Sequence, residues 1–96
     1  MNDMISDNQP IEEQHRREVE FFIINKNTEV GKGDYKGPRN TGTLIALDST
    51  GMGMLTHVPL QPGDIVELDH GGASATGIVM WSIESSDKFR IQMRFV

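Results

Sequence analysis

Arg16 and Arg17, within the stretch from His15 to Glu18, form the one dense basic cluster of the chain. A guanidinium is planar, permanently charged and forked. It bonds a phosphate or carboxylate through two parallel N–H groups and also stacks on a planar ring. Two adjacent ones suit a small anionic ligand. Further along, Asp48, Thr50 and Gly53 lie within LDSTGMGM, residues 47–54. A short Asp side chain in such a turn accepts hydrogen bonds from the backbone N–H groups that follow it, and a glycine admits close approach or a positive φ. Other groupings carry less chemistry. Gly31 and Gly33 flank Lys32, but no Ser or Thr follows the lysine and no helix pattern begins there, so a triphosphate-binding loop is not formed. His57 and His70 lack metal-ligand spacing with any partner, and Asp69-His70 before two glycines reads as a turn. No nucleophile, base and orienting group can be assembled, so the sequence does not read as an enzyme and requires neither cofactor nor metal.

The elements that position these residues must come from a short chain. Ninety-six residues make one domain, able to bury about 10,000 Å² on folding, enough for one modest core. With no cysteine, disulfide frameworks, zinc ribbons and thiol nucleophiles are excluded. No apolar run approaches the length of a membrane helix and the N-terminus lacks the order of a signal peptide, which points to a cytoplasmic protein without membrane partners. Net charge is −5, and residues 1–13 hold Asp3, Asp7, Glu12 and Glu13 with no Lys or Arg. The body is therefore nearly neutral, which argues against a DNA or RNA binder.

Residues 1–14 read as a flexible acidic tail and 15–96 as the folded domain. Strands are expected over 19–26, 43–48, 52–58, 65–68, 75–83 and 89–95. Residues 27–41, with three glycines and Pro38, read as a long loop, and 59–64, 69–72 and 84–88 read as turns. The last strand gives the clearest signal. Phe89, Ile91, Met93 and Phe95 alternate with Arg90, Gln92 and Arg94, so one face is core and the other wet. Met52, Met54, Met80 and Met93 read as core fillers, and Trp81, Phe21 and Phe22 as core or rim aromatics. Six short strands, polar turns and no convincing helix indicate an all-β fold, a small six-stranded antiparallel barrel.

In order and spacing, LIALDSTGMGML, then QPGDIVELD, then GIVMW and KFRIQMRF resemble a PilZ domain over roughly residues 15–96. That family carries an RxxxR motif before the first strand and a [DN]x[ST]xxG motif at a strand turn. The second is present as Asp48, Thr50 and Gly53. The first is incomplete: four residues after Arg16 and Arg17 stand Glu20 and Phe21. The resemblance implies a six-stranded barrel that binds cyclic di-GMP, a bacterial second messenger, through Arg16, Arg17, Asp48, Thr50 and Gly53. The arginines would meet phosphate or base, Asp48 a guanine edge, and Thr50 base or phosphate. Lys32, Lys36 and Arg39 are candidates to fold over and replace the missing arginine.

Two functions follow. One is a regulator whose N-terminal segment orders on cyclic di-GMP and relays the signal to a protein effector. The other is a PilZ-type protein-interaction module that has lost the ligand and acts by contacts in pilus or motility machinery.

Overall fold

A computed structural model describes residues 9–25, 33, 35–70 and 72–96. The described residues form seven strands: β1 (Gln9–Pro10), β2 (Arg17–Asn25), β3 (Tyr35–Leu47), β4 (Gly51–Thr56), β5 (Ile65–His70), β6 (Ala73–Ser85) and β7 (Lys88–Phe95). One turn of 3-10 helix, Glu13–His15, lies between β1 and β2. All pairings are antiparallel, in the order β3-β2-β5-β6-β7-β4, and β4 pairs back onto β3. This is the expected closed six-stranded barrel. Closure leaves no long unpaired edge for a second chain to extend.

Alternation builds the core. Val19 and Phe21 of β2, Leu44 of β3, Met52 and Met54 of β4, Val66 and Leu68 of β5, Val79 of β6, and Ile91 and Met93 of β7 form one buried cluster. A barrel of six strands is narrow enough for side chains to fill it, and the flexible thioethers of Met54 and Met93 occupy its centre without exposure. The ends are stoppered differently. Buried Leu60 and half-buried Val58, from the β4–β5 connection, pack on the cluster, as does Ile11, whose N–H donates to the Ile45 carbonyl at 2.9 Å.

Several boundaries differ from the sequence reading, each for a physical reason. Residues 35–41, expected in a long loop, belong to β3 and pair with β2 from Asn25↔Tyr35 to Glu20↔Thr41. Their cations are compatible with a strand because they are exposed and find carboxylate partners. Lys36 reaches Glu67 at 2.9 Å and Arg39 reaches Glu20 at 3.4 Å. Pro38 falls at the register shift opposite Phe22 and Ile24, before β4 pairing begins at Thr43, so its missing N–H interrupts no ladder. Asp69 and His70, expected in a turn, are the last residues of β5, opposite Ser74 and Ala73. The 84–88 turn shrinks to Ser86 and Asp87, with Ser86 at φ 58°. Residues 59–64 are a turn as expected: Pro62 and Gly63, the latter at φ 95°, are its corners, and the Asp64 N–H donates to the Gln61 carbonyl at 3.0 Å. Gln9–Pro10, read as tail, pair with Leu47 and Ala46; the tail residues 1–8 lie outside the described residues.

Candidate functional site

The β3–β4 connection, residues 48–50, is held by the side chain it was expected to use. Asp48 Oδ1 accepts from the Thr50 N–H at 2.8 Å, the Thr50 hydroxyl at 2.7 Å and the Gly51 N–H at 3.2 Å. The Asp48 N–H donates to the Gly51 carbonyl at 3.1 Å. One carboxylate oxygen thus organises the bend, as a short acceptor side chain does in an Asx turn. The Thr50 hydroxyl hydrogen is committed to Asp48, so toward a ligand that oxygen acts as an acceptor. The bend is also fixed to the closing strand, because the Phe95 N–H donates to the Thr50 carbonyl at 2.8 Å.

Gly53 has neither of the features its motif position suggests. Its φ is not positive, and a Cβ there would make ordinary contacts with Ala46, Ile45 and the Gln92 amide oxygen at 3.4–3.5 Å. Gly51 is the glycine that close approach demands: a Cβ on it would run into the Met93 carbonyl oxygen.

Arg16 and Arg17 stand at the same end of the barrel as this bend, because β2 begins where antiparallel β3 ends. Both are exposed. Arg16 Nε donates to the Ile11 carbonyl at 3.4 Å, and Arg17 has no hydrogen bond or ion pair among the described residues. Arg17 lies opposite Leu44, four residues or about 13 Å of strand from Asp48. The structure therefore places Asp48 and Thr50 in one bend and Gly53 on the strand that follows it, with the arginines at the same end of the barrel.

Lys36 and Arg39 are exposed on β3 and engaged away from the bend. Besides their carboxylate partners they lie over the Phe22 ring, at 4.9 and 5.7 Å from its centroid. Arg39 is nine residues, about 30 Å of strand, before Asp48. Phe22 is thereby an outer-face residue and not a core one, and Glu20, the carboxylate that interrupts the arginine motif, is balanced by Arg39. Lys32 lies outside the described residues.

A groove of about 300 Å³ opens directly beside the bend, lined by Thr50, Met80, Trp81, Gln92, Met93 and Arg94. Only Thr50 belongs to the residues singled out by sequence. The rest meet through pairing: Gly51 lies opposite Arg94, Gly53 opposite Gln92, and Trp81 also opposite Gln92. The alternation of Arg90, Gln92 and Arg94 with apolar residues was the one sequence signal that pointed to this face. Met80, expected in the core, is 45% exposed, because it alternates with buried Val79 and so points outward, and the register shift between Val79 and Trp81 brings Trp81 to the same outer face.

Elsewhere His57 Nδ1 lies 3.1 Å from the Asp87 carbonyl oxygen, tying the β4–β5 connection to the β6–β7 turn. Among the described residues no group of His, Asp and Glu could hold a metal ion, and no helix is long and apolar enough to cross a membrane. Fold and site define a small closed barrel with a structured acidic bend and a mixed aromatic and cationic groove at one end. Comparison with protein-family models, with curated proteins and with solved structures gives no match for this chain.

Proposed function

We propose that this barrel is a PilZ-type regulator that binds cyclic di-GMP at the end carrying the Asp48–Thr50 bend and performs no chemistry on it. The observation that carries the reading is the juxtaposition of that bend with the start of β2, where Arg16 and Arg17 stand exposed and, among the described residues, have no acidic partner. Cyclic di-GMP presents two phosphates and two purine faces, and forked cations answer the phosphates. The ligand needs no metal or cofactor, and its production inside bacterial cells goes with a cytoplasmic location. Bound ligand would favour one arrangement of the segment around Arg16 over others, and that difference in affinity is what a protein effector would read.

The 55% exposure of Ile83 and 45% exposure of Met80 favour a second reading, a barrel that acts through protein contacts alone, for example in pilus or motility machinery. Calorimetric titration with cyclic di-GMP separates the two. The receptor reading expects saturable binding, weakened at least tenfold in the Arg16→Ala, Arg17→Ala double variant, since each charge-assisted bond is worth about 1.5–3 kcal/mol. No heat and no competition at millimolar ligand would leave the contact module.

A further inference from the structure

The sequence of β6 reads Gly77, Val79, Trp81, Ile83 on alternate positions, a pattern that in a regular strand would carry Trp81 and Ile83 inward with Val79. The bulge prevents this. Val79 faces Met93, but Trp81 faces Gln92 and Ile83 faces Arg90, so both apolar side chains emerge on the outer surface, alongside Met80. Exposing such residues is unfavourable in water, and a bulge that re-aims a side chain beside a groove is a feature typical of binding sites.

The groove it creates has the composition a nucleotide requires. Trp81 is half-buried, and its indole N–H has no hydrogen-bond partner among the described residues. Arg94 is exposed and has neither ion pair nor hydrogen bond among them. Gln92 extends its amide oxygen across Gly53, whose lack of a side chain keeps that part of the surface flat. Thr50 contributes an oxygen whose hydrogen is already committed. Among the described residues no carboxylate lines the groove.

We propose that Trp81 and Arg94 form the second half of the ligand site: the indole stacks on one guanine and the Arg94 guanidinium bonds a phosphate, in place of the arginine missing from the N-terminal motif. This rests on the cyclic di-GMP reading and adds to it a base platform and a phosphate anchor on the opposite side of the bend from Arg16 and Arg17. Neither residue belongs to the two motifs that suggested the ligand. Stacking on an aromatic face is tolerant of base identity, so the platform supplies affinity more than selectivity.

Trp81 is the only tryptophan of the chain, so its emission reports on the groove directly. Cyclic di-GMP added to the full chain should change that emission saturably, with the same midpoint as calorimetry. Arg94→Ala should raise the midpoint about tenfold or more. Arg90→Ala, on the same face but outside the groove, should leave it unchanged. Trp81→Leu, followed by calorimetry, should weaken binding as well. Binding seen by calorimetry with no change in emission, or an unchanged midpoint in Arg94→Ala, overturns this inference and leaves the receptor reading standing. Absence of binding by both methods overturns the two together.

Discussion

Gly51 and Gly53 stand two residues apart on β4 and meet opposite constraints. A methyl group on Gly51 collides with the Met93 backbone, which cannot yield without parting β4 from β7, whereas one on Gly53 finds ordinary contact distances. Gly51→Ala is therefore expected to destabilise by more than about 2 kcal/mol and Gly53→Ala by less than about 1 kcal/mol, measured by urea unfolding. Equal effects would mean that the strand spacing described here is wrong. Asp48 makes a second contrast available. Asp48→Ala removes the acceptor of three hydrogen bonds and should cost about 1–2 kcal/mol, whereas Asp48→Asn keeps a carbonyl oxygen and should recover part of that. The spacing of Asp48, Thr50 and Gly53 was legible in the sequence, and so was a turn. The assignment of the tight approach to Gly51 was not, because it depends on how near β7 passes, and β7 is some forty residues away in the chain.

Among the elements, β7 was readable because its two faces differ in chemistry: apolar residues point in and Arg90, Gln92 and Arg94 point out. The first half of β3 was not, since its glycine, proline and charged residues have the composition of a loop. It is a strand because β2 offers it a full ladder, and Glu67, Glu20 and the Phe22 ring receive its outer cations. The bulge in β6 was hidden for a related reason. Apolar alternation continues straight through it, and only the pairing with β7 shows that Trp81 emerges on the outer face. At the other end of that hairpin, Ser86 occupies the left-handed region at φ 58°, an unfavourable conformation for a residue with a Cβ. Ser86→Gly is expected to raise stability by up to about 1 kcal/mol, the gain being partly offset by the greater freedom of glycine in the unfolded chain. A lowered melting temperature would show that the Ser86 side chain holds the turn in another way.

Across the whole molecule, a closed barrel solves two problems of a short, disulfide-free chain: it pairs its long strands around a single circuit and fills its centre with one contiguous cluster. Leu60 belongs to that cluster although it comes from a connection, so Leu60→Ala should cost about 2–4 kcal/mol, as for a core strand residue. Barrel closure also sets the site. By joining β4 to both β3 and β7 it brings the bend at 48–50 against Arg94 and Trp81 on one side and within a few strand widths of Arg16 and Arg17 on the other. A ligand held in the proposed way must span that end of the barrel. Titration of the isotopically labelled protein with cyclic di-GMP, followed through its backbone amide shifts, tests this most directly. The expected result is saturable movement at residues 15–18, 48–53, 80–81 and 92–94, with the far end around Leu60 and Lys36 unmoved. A spectrum unchanged at millimolar ligand, or changes confined to the far end, would contradict it.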